Sequence, residues 1–341
     1  MAQKKAGGSP IHGNADFTGW ATLPVHGTAG ADKLTGGGLD DSLYGYGGDD
    51  ELSGGSRNDR LDGGAGLDEI YGGAGEDLID GGADADHIYA GSGNDLIRGG
   101  VDGDHLDGGA DTDTVSYEDV AGGVKVDLAK GTAQSRTDGG SQDTLVGIET
   151  IIGSSSGGDT LSGNQAANVI KGLGGSDQLS GQGGSDTLHG GTGGDTLHGG
   201  DFANDDTATA DALGDGNDLL YGEAGDDWLT GGFGDDTLYG GADNDYQTGG
   251  LGRDMLSGGA GDDWLLGGQG ADHVDGGSGI DGASYTSSRS GVAVNLSTGV
   301  AYEGADVDFL FGIEKVNGGF YGDDLHGGRG RQPAQRVGRQ R

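Results

Sequence analysis

One aliphatic residue recurs every nine positions along much of this chain. Leu34, Leu43, Leu52, Leu61, Ile70, Ile79, Ile88, Ile97, Leu106 and Val115 each take the eighth place of a nonapeptide counted from Gly27 to Ser116. That interval matches neither an amphipathic helix nor a long alternating strand. Residues 63–80, GGAGLDEIYGGAGEDLID, show the unit twice: glycines open it, aspartate holds position six and the aliphatic holds position eight. A fixed period of this kind marks a stacked-repeat architecture. Positions seven to nine read as a short strand with the eighth side chain inward and its neighbours outward. Glycine lets the preceding six residues turn through positive φ without steric cost. Two half-turns make an 18-residue coil, and coils stacked in parallel give two facing sheets around a thin aliphatic core.

The period divides the chain. Residues 27–116 form a first array, 154–198 a second and 213–284 a third, with residues 199–212 inserted between the last two, read as a solvated loop more readily than as an extra ion site. Position six is aspartate throughout except Asn168, and position eight fails only at Gln247 and Ala283, which marks weak places in the third array. Residues 1–26, with Phe17, Trp20, Leu23 and Val25, suffice for a strand or two capping the first coil.

The pattern G-G-x-G-x-D-x-U-x resembles the calcium-binding nonapeptide of the repeats-in-toxin (RTX) family. The resemblance implies an all-β fold, a parallel β-roll or β-solenoid of calcium-binding nonapeptides with two interposed β-connector or cap segments.

The aspartates carry the chemistry. Residues 18 apart fall on the same sheet roughly 4.8 Å apart, so position six builds two acidic columns. In the first array these are Asp32, Asp50, Asp68, Asp86 and Asp104, beside Asp41, Asp59, Asp77, Asp95 and Asp113. Asp159, Asp177, Asp186 and Asp195 continue the pattern in the second array. Asp218, Asp227, Asp236, Asp245, Asp254, Asp263, Asp272 and Asp281 do so in the third. Two carboxylates at that spacing repel by about 1 kcal/mol in water and about 3 to 4 kcal/mol at an effective dielectric of 20. A hard dication taking oxygen ligands turns this repulsion into a bridge, and loosely placed turn carbonyls suit calcium better than magnesium. Zinc prefers nitrogen and sulfur, which these turns lack. The position-six aspartates are therefore the expected metal ligands, with multiple Ca2+ ions as cofactor.

Composition sharpens this picture. Of 341 residues 84 are glycine, 31% are hydrophobic and none is cysteine, so neither a large core nor disulfides hold the chain. The formal charge of −39 repels nucleic acid and anionic membranes and points to cations as partners. No apolar run is long enough for a membrane span, and MAQKKAGGSPIHG lacks the apolar core of a cleaved signal peptide. Calcium is expected to fold the arrays, because the core alone does not offset the ordering entropy of so much glycine. Acid, by protonating the ligands, should weaken the calcium-bound fold.

Two non-repeat segments, 117–153 and 285–317, resemble each other. DTVSYEDVAGGVKVDLAKGTA from Asp113 aligns with DGASYTSSRSGVAVNLSTGVA from Asp281, and GIETIIG with GIEKVNG. Val124, Val126 and Leu128, like Val292, Val294 and Leu296, alternate as half-buried strands. Such connectors look like the apolar caps between blocks of long RTX arrays; a substrate pocket within them is the competing reading. Residues 318–328 begin a further repeat. Residues 329–341 turn basic, either as a genuine tail or as a reading-frame slip, since a one-base shift of suitable codons converts RQPAQRVGRQ into ANRLSGSAGN.

Signs of catalysis are sparse. There is no HExxH, and the match Gly153-Ser154-Ser155-Ser156-Gly157 opens a repeat rather than a nucleophile elbow. Histidines at outward positions, including the stacked pair His87 and His105, read as exposed side chains more readily than as a transition-metal site. Trp228, Tyr246 and Trp264 share position seven at intervals of 18, while Tyr221 with Tyr239 and Tyr71 with Tyr89 form similar pairs. These ladders stabilise the sheet or offer a platform for polysaccharide or a partner protein. The expected function is a non-enzymatic calcium-binding module that folds after export, structural or secretion-assisting, with an adhesin or polysaccharide-binding module as the alternative. Secretion from a Gram-negative bacterium, through an uncleaved C-terminal signal, is what the resemblance implies.

Overall fold

The computed structural model describes residues 15–16, 24–135, 141–200 and 216–327. Phe17, Trp20 and Leu23 of the expected N-terminal cap, residues 201–215 of the insertion and the basic tail lie outside the described residues. The described elements are strands joined by turns, with no helix among them. The chain divides into two compact units: residues 1–117 with 130–151, and residues 118–129 with 152–341.

Each unit is a parallel β-roll. In the first, the strands Glu51–Ser56, Glu69–Ala74, His87–Ser92 and His105–Ala110 pair in parallel on one sheet. Arg60–Ala65, Leu78–Ala83, Leu96–Val101 and Thr114–Ser116 pair on the other. Register advances by one 18-residue coil per step, as in Ile70↔Ile88 and Tyr71↔Tyr89. Ile70, Ile79, Ile88 and Ile97 have 0% exposure, so position eight supplies the core as its period requires.

The strands are longer than positions seven to nine. Glu69–Ala74 runs on through both glycines into position three of the next unit, and Gly73 pairs with Gly91. Inward alternation therefore continues to the first glycine, whose missing side chain leaves room for the position-six carboxylate. The turn itself needs positive φ at positions two and four, as at Gly73 (116°) and Gly75 (132°). A Cβ on Gly75 would lie 2.3 Å from the Arg57 backbone, so the close stacking of coils reinforces the choice of glycine. Tyr46, Leu173 and Glu223 adopt the same left-handed conformation at position two without that freedom.

The second unit opens with Val124–Asp127, which pairs in parallel with Thr160–Ser162. The connector 117–153 thus contributes to both units: residues 118–129 belong to the second, and Thr132–Ser135 and Asp143–Val146 to the first. Val124 and Val126 are buried and Lys125 is exposed, the alternation expected of a half-buried strand. Further along, Thr187–Thr192 pairs with Leu219–Ala224 in unbroken register, so the solenoid continues from one side of the insertion to the other. The second connector lies within this unit: Asp306–Phe311 pairs with His273–Ser278, and Val292–Asn295 with Asp324–His326.

Candidate metal centre

The position-six aspartates stand in two columns in each unit, linked through their own backbone. The N–H of Asp50 donates to Oδ1 of Asp68 at 2.8 Å, Asp68 to Asp86 at 2.8 Å and Asp86 to Asp104 at 2.9 Å. The neighbouring column repeats this from Asp59 to Asp77 at 2.8 Å, Asp77 to Asp95 at 2.7 Å and Asp95 to Asp113 at 2.8 Å. In the second unit one column descends Asp159, Asp177, Asp195, Asp227, Asp245, Asp263 and Asp281. The other descends Asn168, Asp186, Asp218, Asp236, Asp254 and Asp272. Asn168 keeps the geometry without the charge.

In sixteen of the described aspartates one carboxylate oxygen is satisfied this way and the other is not. Oδ2 of Asp50, Asp59, Asp68, Asp77, Asp86, Asp95, Asp104 and Asp113 is buried without a hydrogen-bond donor. The same holds for Asp177, Asp195, Asp227, Asp245, Asp254, Asp263, Asp272 and Asp281. An ionised carboxylate in this position is costly unless a cation or donor meets it. The unpaired oxygens lean toward the first glycine of their own repeat. A Cβ on Gly45 would lie 2.3 Å from Asp50 Oδ2 and 2.4 Å from the carbonyl oxygen of Gly63, one coil further on. Gly63 repeats the cradle with Asp68 Oδ2 at 2.4 Å and the Gly81 carbonyl at 2.7 Å. Carboxylate and carbonyl oxygens thus face shared space, the donor set of a hard dication. Among the described residues no three His, Cys, Asp or Glu side chains gather into a metal cluster, so backbone carbonyls must supply part of any shell.

Electrostatics agree. Burial pushes the Asp104 and Asp245 carboxyls up to about 8, and those of Asp59, Asp86 and Asp95 to about 7, with neighbouring aspartates adding to the rise. The backbone N–H on Oδ1 opposes the shift in each case without cancelling it. Near neutral pH the columns hold protons or take up a cation.

Three expected ligands differ from the rest. Asp32 Oδ2 accepts the Thr28 N–H and Asp41 Oδ2 accepts the Gly37 N–H at 2.8 Å, both in the first coil. Asp159 opens the second unit with its oxygens bonded to the Ser154 N–H and hydroxyl and to the Val124 N–H. These carboxylates are satisfied by donors within their own repeat and, for Asp159, also by the preceding strand.

Some site residues lie outside the nonapeptides. The Asp104 N–H donates to Asp143 Oδ1 at 3.1 Å and the Asp113 N–H to Glu149 Oε2 at 2.9 Å. The second connector matches, with Asp272 to Asp308 and Asp281 to Glu314, each at 3.1 Å. The signal is D-x-L-x-G-I-E-x-U-x-G, present at residues 143–153 and 308–318. It compresses two half-repeats, so that Asp143 and Glu149 both fall in the position-six role. Leu145 pairs with Leu106, and Val316 with Ala283, as position-eight residues do. Asp323 is also in the position-six role: its Oδ1 accepts the Val292 N–H at 3.1 Å.

The outward rings form closer groups than the sequence alone defines. Trp228 and Tyr246 pair in register with centroids 4.5 Å apart, but their planes are inclined by 42°. Trp264 lies in register with Tyr246 and lies against Gly282, where an added Cβ would meet its ring at 2.6 Å. Flat stacks occur instead at Tyr71–Tyr89 and along His189, Tyr221 and Tyr239. Ser155 of the G-x-S-x-G match is an exposed turn residue.

A parallel β-roll with buried columns of unpaired carboxylate oxygens facing carbonyls defines a class: solenoids built around hard divalent cations. The sequence profile of the RTX calcium-binding nonapeptide repeat matches residues 26–56, 53–88, 80–115, 153–188, 180–205, 214–247 and 248–283, and the chain belongs to that family. Its repeats bind calcium, and their number implies several Ca2+ ions per chain. No curated protein matches the chain. Among the described residues no helix is long and apolar enough to cross a membrane.

Proposed function

We propose that this protein is an extracellular calcium-switched β-roll whose position-six aspartates hold the ions. The observation carrying this reading is the repeated unpaired, buried Oδ2 beside an inward carbonyl, as at Asp50, Asp68 and Asp86. Calcium supplies positive charge between coils that otherwise oppose one another. The aspartates and turn carbonyls hold it, and the first glycine keeps the space open. At low cytosolic calcium the columns repel and the glycine-rich chain stays expanded, a state suited to export. Extracellular calcium, in the range of roughly 0.1 to 1 mM at which external modules bind it, drives coil stacking. Circular dichroism through a calcium titration and chelator reversal tests this. The β signal should appear with calcium and vanish in EDTA; a compact β-roll persisting in EDTA at neutral pH would refute the switch.

A second reading, a polysaccharide- or protein-binding surface, is favoured by the aromatic groups, with Trp228 52% exposed. Tryptophan fluorescence of the calcium-loaded protein should shift with a bound glycan; an unchanged spectrum across a polysaccharide panel counts against it.

A further inference from the structure

We propose that each connector completes one additional calcium site through its Gly-Ile-Glu tripeptide, outside every nonapeptide matched to the family. The first uses Asp113, the Gly147 carbonyl and Glu149; the second uses Asp281, the Gly312 carbonyl and Glu314. This rests on the calcium reading of the columns.

The two connectors supply the same geometry independently. Asp113 and Asp281 have 0% exposure, and Oδ2 of each lacks a donor. At Gly108 an added Cβ would lie 2.7 Å from Asp113 Oδ2 and 2.2 Å from the Gly147 carbonyl. At Gly276 it would lie 2.5 Å from both Asp281 Cβ and the Gly312 carbonyl. These carbonyls stand where the first glycine of a following repeat stands elsewhere. Gly147 and Gly312 turn with the same φ, 60° and 59°. Each glutamate then accepts the aspartate N–H through Oε2, the contact an aspartate makes in the regular column. The glutamate charge also bears on its neighbour: after burial, Glu149 is the leading repulsive influence on Asp113 and Glu314 on Asp281. A cation held between them would remove that repulsion and satisfy the stranded oxygen.

The sites differ in one respect. Lys315 donates to the Ile280 carbonyl at 2.9 Å, and its charge partly relieves Asp281. The second site should therefore bind calcium more weakly than the first.

Bound calcium per full-length chain, counted by equilibrium dialysis and elemental mass spectrometry, tests the proposal with Glu149→Gln, Glu314→Gln and the repeat control Asp77→Asn. Glutamine preserves the acceptor for the aspartate N–H while removing the charge. Each glutamine variant should lose about one ion at saturating calcium, with the wild-type circular dichroism retained. An unchanged count in both, while Asp77→Asn loses an ion, overturns this inference and leaves the column reading standing. An unchanged count in all three defeats both. Should a glutamine variant not fold, anomalous diffraction from terbium-loaded wild-type crystals decides. Terbium beside Glu149 supports the site, whereas terbium in the repeats and none beside Glu149 overturns it.

Discussion

The Tyr117 hydroxyl donates to Oδ2 of Asp143 at 2.8 Å, and Tyr285 makes the same contact with Asp308 at 3.0 Å. These are the column oxygens that inside the arrays lack a donor. At the end of one column in each unit, a buried tyrosine supplies the carboxylate with a donor from the protein itself. Tyr117→Phe and Tyr285→Phe remove the donor and strand the carboxyl. Each should cost about 1 to 3 kcal/mol in denaturant unfolding of the calcium-loaded protein, with no change in bound calcium. A fall in the calcium count would contradict the hydroxyl's metal-free role.

Column position should grade the effect of neutralising an aspartate. Asp77 is an internal member with an unpaired Oδ2, whereas Asp32 Oδ2 already receives the Thr28 N–H. Asp77→Asn should raise the calcium midpoint of folding roughly two- to tenfold, and Asp32→Asn should move it less than about twofold. Equal shifts in parallel titrations would show that the unpaired oxygen does not set affinity.

Acid should act with opposite sign on the two states. Without calcium, the folded carboxyls lie above the ordinary 3.8, from about 6 at Asp68 to about 8 at Asp104. A group raised in this way stabilises the fold below pH 3.8 and loses that contribution as pH climbs through its folded value. In EDTA the β signal should therefore be larger near pH 4 to 5 than near pH 8. With calcium the bound form requires ionised ligands, so the fold should weaken as pH falls over the same interval. Circular dichroism across pH, with and without calcium, reads both slopes; parallel slopes would defeat the assignment.

Gln247 takes the aliphatic position eight. It has 0% exposure, lies in register between Leu229 and Leu265, donates to the Ser257 carbonyl at 2.8 Å and leaves its own Oε1 without a donor. Gln247→Leu should stabilise the calcium-loaded protein by about 1 to 2 kcal/mol, the gain in apolar burial being offset in part by the lost Ser257 contact. Thermal unfolding should occur at higher temperature; an unchanged or lower midpoint would show that the amide is better accommodated than its unpaired oxygen implies.

The nonapeptide by itself determined the roll, the inward aliphatics, the two acidic columns and the 18-residue register. Each repeat residue meets its partner one coil away, so a constant sequence interval becomes a constant distance in space. Only the tertiary structure decided how the columns begin and end. Asp104 meets Asp143 39 residues away, Asp113 meets Glu149 at 36 and Tyr117 meets Asp143 at 26. Of these intervals only 36 is a multiple of the 18-residue coil, and all three depend on how the connector folds back. Closure across the insertion, where Thr187–Thr192 finds Leu219–Ala224, and the tilt between Trp228 and Tyr246 are likewise set by packing. Repetition makes local geometry legible in sequence, whereas its interruptions are resolved only by the surfaces that they bring together.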